Sequence, residues 1–438
     1  MKTASEPVRA AGVVEASNGR ASAQLADLAP SRRTAHATQS RLSVDEAREL
    51  YFDASIHELG RRAHAVTMAK HPEPYRTYVV DRNINYANWC TAKCIFCNFK
   101  ADPPGMNSSR PELPSGYTLT YDQIADKIRE LVAIGGTQIL MQGGLVPAEL
   151  LPFEWYLDLL RFIKREFPQI HIHAFSPPEI FAMHRIFGMS IRDVLLRLRE
   201  AGLDTIPGGG AEILSDRVRD KIGRGKTRTA EYLEVMRQAH LIGMRTSITM
   251  MFGHIETIDE RLEHLRLIRE LQDETGGFTA FICWTFQPEN TPLGRMKAFP
   301  ERPESPEDDA SSLATDHAAL LRELGSPDRP RWYRGKPVPD GKHLLLASAH
   351  EYLRMLALSR IFLDNIDNIQ SSWVTQGPKI GQLALFYGAN DMGSVMMEEN
   401  VVSAAGTTYR LNEAEIRHLI TDAGWQPQKR NCYYEPIA

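Results

Sequence analysis

Three clustered cysteines are the residues of this sequence best suited to chemistry. Cys90, Cys94 and Cys97 have the spacing CxxxCxxC, and the two other cysteines, Cys283 and Cys432, lie far from them and from each other. A structural zinc site usually takes four Cys or His ligands in two pairs, and no second pair follows here. An iron–sulfur electron carrier also takes four thiolates, one for each iron of a 4Fe-4S cluster. Three thiolates would leave one iron of such a cluster free to bind another molecule.

The cysteine motif, NWCTAKCIFCNFK over residues 88–100, resembles that of radical S-adenosylmethionine enzymes. In those enzymes S-adenosylmethionine chelates the fourth iron, and its reductive cleavage gives a 5'-deoxyadenosyl radical. The resemblance implies that Cys90, Cys94 and Cys97 bind a 4Fe-4S cluster and that S-adenosylmethionine is a cofactor. It also implies an external one-electron reductant such as flavodoxin or ferredoxin. A zinc site or three unrelated structural cysteines is the alternative.

Composition narrows the class of protein. The chain has 438 residues, of which 43% are hydrophobic and 24% charged, as in globular proteins. The net charge is −4 and the sequence has no basic tract of the kind that binds nucleic acid. No apolar run approaches the roughly 18 residues of a membrane span. Few cysteines, clustered for metal, predict a reducing, cytoplasmic compartment. We therefore expect a small-molecule substrate and neither a nucleic-acid nor a membrane partner.

Composition also divides the chain into four parts. Residues 1–40 are rich in Ala, Ser and Arg, and we predict that they are a disordered extension. They lack the apolar region and cleavage site of a signal peptide. Residues 43–292 are the predicted core domain. Residues 293–342 are dense in Pro, Glu, Asp, Ser and Arg, which predicts an exposed insertion. Residues 343–438 are expected to complete the core domain and the substrate site.

Strands alternate with helices along the core domain. The predicted strands are 81–89, 137–141, 170–175, 204–206, 245–252 and 278–286, and the predicted helices are 43–68, 121–134, 154–167, 191–201, 229–241 and one opened by a capping box at Thr257. Thr120 is predicted to cap helix 121–134, whose apolar face is Ile124, Ile128, Leu131 and Val132. A helix at 350–363, a strand at 368–374 and a helix at 411–423 follow. This order predicts an α/β fold with a parallel sheet. Because polar or glycine-rich clusters follow the strands, we expect a (β/α) TIM-type barrel, partial or complete, with C-terminal additions. An open doubly wound sheet is the alternative.

Two of these clusters are candidate cofactor sites. Gln142, Gly143 and Gly144 follow the second strand, and Ser176 and Glu179 follow the third. By resemblance to radical S-adenosylmethionine barrels, these five residues are expected to bind S-adenosylmethionine. A tight turn at the glycines and a helix N-cap at Ser176 are the alternatives.

Two histidines share one face of the third predicted strand. His171 and His173 are two residues apart, so their side chains point the same way. We expect them to line the barrel rather than to bind metal. Residues 207–210, PGGG, follow the fourth strand and would let a substrate approach the backbone.

Longer segments resemble a narrower group, the radical S-adenosylmethionine enzymes of the futalosine route to menaquinone together with the deazaflavin-forming synthases. They are HIHAFSPPE at 171–179, PGGGAE at 207–212 and GANDMGSVMMEENVV at 388–402. Four further segments resemble the dehypoxanthine futalosine cyclase family: GGTQILMQGG from Gly135, TMMFGHIET from Thr249, GGFTAFICWTFQP from Gly276 and NIQSSWVTQG from Asn368. The resemblance runs from about residue 43 to residue 424.

This family implies an oxidative cyclisation of dehypoxanthine futalosine in menaquinone biosynthesis. A hydrogen leaves the ribose 4' carbon, and the carbon radical attacks the benzoate ring. Because the ring must then lose a proton, we expect a base near the substrate, and His254, Asp391, Glu398 and Glu399 are the candidates by their positions after predicted strands. A sister enzyme, such as aminofutalosine synthase or a deazaflavin synthase component, is the nearer alternative. A non-enzymatic iron–sulfur electron-transfer protein is the more distant one.

Overall fold

The computed structural model describes residues 41–106, 110, 113–298, 332–333, 336–337 and 340–437. The predicted N-terminal extension and most of the predicted insertion lie outside these residues. The helices are α1 (Val44–Asp53), α2 (Ile56–Lys70), α3 (Tyr121–Ala133), α4 (Phe153–Glu166), α5 (Pro177–Phe187), α6 (Ile191–Ala201), α7 (Asp216–Ile222), α8 (Thr229–Leu241), α9 (Ile258–Thr275), α10 (Ala349–Phe362), α11 (Trp373–Gln376), α12 (Pro378–Leu383) and α13 (Glu413–Asp422). The strands are β1 (Tyr75–Val79), β2 (Asp81–Asn85), β3 (Lys93–Cys94), β4 (Gln138–Gln142), β5 (His171–Ala174), β6 (Thr205–Ile206), β7 (Gly223–Arg224), β8 (Arg245–Phe252), β9 (Phe278–Thr285), β10 (Trp332–Tyr333), β11 (Lys336–Pro337), β12 (Asn368–Gln370), β13 (Asp391–Ser394) and β14 (Gln426–Lys429).

The main sheet is parallel and closes on itself. Its strands are hydrogen-bonded in the order β14, β1, β13, β12, β9, β8, β6, β5, β4, β2. Only Val80 separates β1 from β2 in the chain, so residues 75–85 pair with β13 through their first half and with β4 through their second half. The sheet therefore closes into a barrel, because residues 75–85 take part in both its first and its last strand pairs. The structure confirms the predicted barrel and excludes the open doubly wound sheet.

Amphipathic helices cover the barrel. Thr120 and Thr257 open α3 and α9 with capping boxes, as predicted. On α3 the side chains of Ile124, Ile128 and Leu131 are buried against the sheet, whereas Val132, predicted to share that face, is 37% exposed. In the described part of the chain, no helix combines the length and apolarity needed to cross a membrane.

The C-terminal segment covers the amino end of the barrel. β14 pairs with β1 alone, from Tyr75 opposite Gln426 onward. Beyond β14, Cys432 contacts Thr205, the first residue of β6, and the ring of Tyr433 lies 5.2 Å from that of His171, the first residue of β5. The C-terminal segment therefore helps to build the barrel, as predicted, whereas its part in a substrate site stays a prediction.

Several predicted boundaries were wrong. The predicted helix 43–68 is two helices, because Ser55 starts α2 by accepting a hydrogen bond from the Glu58 backbone. The predicted strand 81–89 ends at Asn85, and β1 before it was missed. α5, which begins in the SPPE segment, and the short α7 were also missed. The predicted strand 368–374 ends at Gln370, since α11 begins at Trp373.

Candidate active site

A cavity of about 400 Å3 occupies the barrel interior. The cysteine loop, residues 88–101, lines one end of it. The other end is lined by Arg430, Cys432 and Tyr434 of the C-terminal segment, together with Asp81 and Gln138 from the first residues of β2 and β4. We call these the carboxyl end and the amino end of the cavity.

Backbone hydrogen bonds hold the cysteine loop at the carboxyl end. The Cys90 amide donates to the Ala101 carbonyl at 2.9 Å, and the Ile95 amide donates to the Ile222 carbonyl at 2.9 Å. β3 within the loop pairs with β7 in an antiparallel bridge. The Thr91 amide also donates to the Leu145 carbonyl at 3.0 Å, and the Leu293 amide donates to the Ile95 carbonyl at 2.9 Å. Contacts from three separate parts of the chain thus fix the loop against the barrel rim.

All three clustered cysteines line the cavity. Burial raises the pKa of the Cys90 and Cys94 thiols, and the neighbouring Cys97 acts in the same direction on both. The Cys90 Sγ accepts a hydrogen bond from the Leu145 amide at 3.3 Å, a kind of contact that tunes iron–sulfur clusters. Three thiols on one cavity wall fit the donor set of a 4Fe-4S cluster with one iron left open.

A buried cation lies beside the thiols. The Lys226 Nζ donates to Glu212 Oε1 at 2.8 Å and lies 5.4 Å from the centre of the Phe96 ring. Its positive charge lowers the pKa of the Cys94 thiol, although burial has the larger, opposite effect. Glu212 belongs to the PGGGAE segment and has a φ of 38°, a strained value for a residue with a side chain. The ion pair holds that conformation against the cysteine loop.

The glycines after β4 let the cysteine loop pack closely. A Cβ at Gly144 would lie 2.7 Å from the Cys90 Cβ and would collide with the Trp89 carbonyl oxygen, while one at Gly143 would collide with the Tyr86 ring. Neither glycine has a positive φ. Close packing therefore explains both glycines, rather than the tight turn that was the alternative.

The predicted cofactor residues all reach the cavity. Ser176 and Glu179 form a capping box at the start of α5, in which Glu179 Oε2 accepts from the Ser176 amide at 2.8 Å. The Oε1 atom accepts from the Gly143 amide at 2.9 Å and from the Tyr86 hydroxyl at 2.7 Å. The helix-cap interpretation of Ser176 is thus confirmed. Contact of these residues with S-adenosylmethionine stays a prediction.

Of the four predicted bases, only Glu399 lines the cavity. Its Oε1 accepts from the Val401 and Val402 amides at 2.7 and 2.6 Å, and its Oε2 accepts from Asn83 Nδ2 at 3.2 Å. Burial raises its pKa, and these three donors oppose that effect. Glu399 is therefore a well-held carboxyl group at the cavity wall.

The other three predicted bases face away from the cavity. Glu398 pairs with Lys127 at 2.6 Å and with Arg82 at 3.0 Å. His254 is fully buried, and its ring contacts Glu256 Oε2 at 2.9 Å and the Met251 carbonyl at 3.1 Å. We therefore correct the expectation that Glu398 and His254 lie at the substrate. Their ion-pair and hydrogen-bond partners hold them outside the cavity lining.

The third of them, Asp391, belongs to a buried ion pair that sequence reasoning missed. Arg430 donates to both carboxylate oxygens of Asp391, from Nε at 2.5 Å and from Nη2 at 2.9 Å. The Thr77 hydroxyl donates to the same carboxylate at 2.6 Å, and the Tyr434 ring centre lies 3.7 Å from the Arg430 guanidinium. Arg430 lines the cavity, and Asp391 holds it from behind. The partners are 39 residues apart in sequence, and no local spacing signals them.

Two cavity-lining amides at the amino end offer unused acceptors. Asn83 Oδ1 and Gln138 Oε1 are buried and have no hydrogen-bond partner in the structure. Their amide nitrogens donate to Glu399 Oε2 and to Asp81 Oδ2, both at 3.2 Å. These carboxylates fix the orientation of the amides, so the oxygens are the free ends. A buried acceptor without a partner is suited to a ligand that brings a donor.

Of the two histidines of β5, His173 lines the cavity and His171 does not. His171 and His173 each contact the Thr205 hydroxyl at 2.7 Å. The barrel-lining expectation is therefore confirmed for His173 and stays a prediction for His171.

Two family models match the chain. Residues 84–268 match the Radical SAM superfamily, and residues 342–438 match the CofH/MqnC C-terminal region. The first match contains Cys90, Cys94 and Cys97, and the second contains Asp391, Glu399 and Arg430.

Curated relatives cover nearly the whole chain. A cyclic dehypoxanthine futalosine synthase of Halalkalibacterium halodurans is 40% identical over 91% of this chain and 92% of its own. One of Streptomyces coelicolor is 40% identical over 94% of this chain and 90% of its own. A 5-amino-6-(D-ribitylamino)uracil--L-tyrosine 4-hydroxyphenyl transferase of Methanosarcina barkeri is 38% identical over 82% of each.

Solved structures share the fold at low sequence identity. The FeFe-hydrogenase maturase HydG of Carboxydothermus hydrogenoformans has a TM-score of 0.61 at 15% identity, covering 90% of this chain and 77% of its own. Methylornithine synthase (PylB) has a TM-score of 0.57 at 17% identity, covering 88% and 94%. With the cysteine loop, the barrel and the relatives taken together, the chain belongs to the radical S-adenosylmethionine superfamily and, within it, to the family of the cyclic dehypoxanthine futalosine synthases.

Proposed function

We propose that this enzyme converts dehypoxanthine futalosine to cyclic dehypoxanthine futalosine in menaquinone biosynthesis. The observation that carries the proposal is 40% identity to two synthases of that name over 91% and 94% of the chain. Identity at that coverage includes both ends of the cavity and not the cysteine loop alone. A cytoplasmic flavodoxin or ferredoxin is the proposed reductant.

The residues at the carboxyl end fit the cofactors of this chemistry. Cys90, Cys94 and Cys97 would hold a 4Fe-4S cluster, and Gln142 and the Gly143 and Gly144 backbone lie on the same cavity wall, where S-adenosylmethionine would bind. When bound, cluster and S-adenosylmethionine supply a primary carbon radical able to take a hydrogen from the ribose 4' carbon, which has no acidic proton. The glycines keep this wall flat and close to the cysteine loop.

The amino end suits a substrate with both hydroxyls and an aromatic ring. The free oxygens of Asn83 and Gln138 would accept hydrogen bonds from ribose hydroxyls. Leu140, Ile282 and Trp284 line the cavity between the polar groups and offer apolar contact to the benzoate ring. Within one cavity, the chain would thus hold the ribose and the ring side by side, which lowers the entropic cost of joining them.

The enclosed site also protects the reaction. A carbon radical abstracts hydrogen from many groups, so the substrate must be the nearest partner and water must be displaced. The C-terminal segment covers the amino end, and the cysteine loop covers the other, leaving the reacting carbons within the barrel. These residues bind and orient the substrate, and the ring then loses one electron to a one-electron acceptor and one proton to a base at the cavity wall.

A second candidate function is the transfer named for the Methanosarcina relative. At 38% identity over 82% of the chain, that enzyme is nearly as similar as the synthases. It acts, by its name, on tyrosine and 5-amino-6-(D-ribitylamino)uracil, a polyol that would also use the free acceptors of Asn83 and Gln138. The cavity alone does not separate the two reactions.

Product analysis separates them. Anaerobically reconstituted enzyme, S-adenosylmethionine and dithionite would be incubated with dehypoxanthine futalosine or with the transferase substrates. We expect the first substrate to give a product two hydrogens lighter and the second pair to give no adduct. Formation of the hydroxyphenyl adduct, with dehypoxanthine futalosine unchanged, would overturn the proposal.

A further inference from the structure

Three side chains form a hydrogen-bonded chain from the cavity toward the amino end of the barrel. His173 Nδ1 lies 2.7 Å from Thr205 Oγ1, and Thr205 Oγ1 lies 2.7 Å from His171 Nε2. His173 lines the cavity, whereas His171 does not. The chain crosses the barrel wall from β5 to the first residue of β6 and back.

The hydroxyl of Thr205 limits how these bonds can be arranged. It has one hydrogen to donate and two lone pairs, and it has three partners, the third being Cys432 Sγ at 3.4 Å. With the Cys432 S–H donating to Oγ1, two arrangements use every group: the Thr205 O–H donates to one histidine and accepts from the other. The relay uses the arrangement in which His173 Nδ1–H donates to Oγ1 and the Thr205 O–H donates to His171 Nε2. Both histidines are then neutral and carry their hydrogen on Nδ1.

The two ends of the chain are open. No described residue hydrogen-bonds His173 Nε2, which in this arrangement has a lone pair and belongs to a side chain that faces the cavity. His171 is only partly buried, and none of the described groups hydrogen-bonds its Nδ1. Asp204 and Lys164, which pair with each other at 2.6 Å, act on His171 with opposite charges, and the exposed Tyr433 ring lies 5.2 Å from it. A proton that reached His171 would therefore meet an ion pair that borders the solvent.

Neither histidine would retain a proton. Burial, His171 and Arg430 together lower the pKa of His173 to about 3. Burial lowers the pKa of His171 to about 4, against the opposing charge of Asp204. Both rings are consequently neutral and able to accept a proton.

From this geometry we propose that His173 is the base that takes the ring proton after cyclisation and that Thr205 and His171 carry it out of the barrel. The inference rests on the proposed function. After the carbon–carbon bond has formed, a one-electron acceptor of the iron–sulfur class takes one electron from the ring. The ring C–H bond then breaks, its electron pair stays in the ring to restore aromaticity, and the proton goes to His173 Nε2. His173 passes its Nδ1 hydrogen to Thr205, and Thr205 passes its own to His171.

Glu399 is the competing base at the cavity wall. Its two oxygens already accept three hydrogen bonds, from the Val401 and Val402 amides and from Asn83, and no described side chain leads from it to the surface as Thr205 leads from His173. A cyclohexadienyl cation is a strong acid, so even a weak base can take its proton, and the exit path then distinguishes His173 from Glu399. Thr205 and His171 act through His173 and are positioning residues.

Thr205→Val and Thr205→Ser form the matched pair that tests the relay. Val keeps the shape and removes the hydroxyl, and Ser keeps the hydroxyl. The measurement is the ratio of cyclic product to 5'-deoxyadenosine, which separates loss of the ring proton from the earlier hydrogen abstraction. We expect the ratio in Thr205→Val to be about 100-fold lower than in wild type and at least about ten-fold lower than in Thr205→Ser. A cyclised compound with the mass of the substrate, from a ring that gained hydrogen instead of losing it, should appear in its place.

Two further measurements test the relay even if the Thr205→Val variant does not fold. His173→Gln keeps a donor toward Thr205 but has no basic ring nitrogen, and the same fall in the ratio is expected. Nitrogen-15 NMR of histidine-labelled, cluster-bound enzyme should show His173 with its hydrogen on Nδ1. Equal ratios in the Val and Ser variants, an undiminished ratio in His173→Gln while Glu399→Gln lowers it, or a hydrogen on His173 Nε2 would each overturn the relay. Failure of the wild type to cyclise the substrate would instead overturn the proposed function.

Discussion

At its carboxyl end the cavity is walled by a loop that backbone hydrogen bonds hold in place, whereas at its amino end side chains hold one another. Cys90 is anchored through its own amide and through a Leu145 amide at its Sγ. Arg430, by contrast, is anchored by the Asp391 carboxylate and stacked on Tyr434. A loop held mainly by its backbone can offer all three thiols to a cluster, because the Cys90 Sγ can go on accepting the Leu145 hydrogen bond as a cluster ligand.

The two ends of the cavity therefore have different functions. The carboxyl end presents reactive groups, and the amino end presents a fixed pattern of charges and hydrogen-bond acceptors. Substitutions at the carboxyl end should therefore remove a cofactor with little loss of fold. Substitutions at the amino end should change stability, substrate binding or the ring proton.

The largest effect is expected at the cysteines. Cys90→Ala, Cys94→Ala and Cys97→Ala should each abolish the 4Fe-4S cluster, because three protein ligands leave none to spare. Iron and sulfide content after anaerobic reconstitution measures it. Cys283→Ala, at a buried cysteine outside the cavity lining, is the control and should keep the cluster. A full cluster in any of the first three variants would show that the ligands are assigned wrongly.

The next effect concerns the amino-end ion pair. Arg430→Met leaves the Asp391 carboxylate buried without its partner, so the free energy of unfolding should fall by about 3–5 kcal/mol in urea denaturation. Arg161→Met breaks an exposed pair with Asp158, whose side chains are 55% and 58% exposed, and should cost less than about 1 kcal/mol. Similar losses in both variants would mean that the amino end is not held as described.

A smaller effect is expected for substrate binding. Asn83→Leu removes a free acceptor of the cavity, so the Kd for dehypoxanthine futalosine should rise about ten-fold while the Kd for S-adenosylmethionine stays the same. Asn365→Leu is the matched control, since Asn365 also has a buried, unpartnered Oδ1 but lies outside the cavity lining. Calorimetry on the cluster-bound enzyme measures both constants. Equal weakening by the two substitutions would remove Asn83 from the substrate site.

The smallest effect is a pH dependence from the amino end. The folded state keeps His173 neutral, with a pKa of about 3, while the unfolded chain takes up a proton below about 6.5. Unfolding free energy should thus fall as pH falls from 7 to 5.5, and His173 should contribute about 1 kcal/mol of that fall. His173→Gln should show a correspondingly shallower profile in urea titrations. A profile parallel to that of wild type would mean that His173 is not kept neutral by folding.

The same difference decides what the sequence could predict. The cysteine ligands lie within eight residues, and the capping boxes at Thr120 and Thr257 are local too, so pattern alone located them. The amino end joins β2, β4, β5, β6 and the C-terminal segment, and its pairs span up to hundreds of residues. Asp391 was singled out from its position after a predicted strand, but its partner Arg430 was not, and nothing near either residue signals the other. His254 was misplaced for the same reason: its partner Glu256 is a neighbour, but the direction of the ring depends on tertiary packing.

Hydrogen transfer from the substrate tests the proposed reaction most directly. Dehypoxanthine futalosine deuterated at the ribose 4' carbon would be incubated with reduced, cluster-bound enzyme and S-adenosylmethionine, and the 5'-deoxyadenosine would be weighed by mass spectrometry. The account predicts 5'-deoxyadenosine one mass unit heavier, together with the cyclic product. A covalent adenosyl adduct would indicate a reaction of the aminofutalosine synthase type. Unlabelled 5'-deoxyadenosine alongside the cyclic product would contradict abstraction at the 4' carbon.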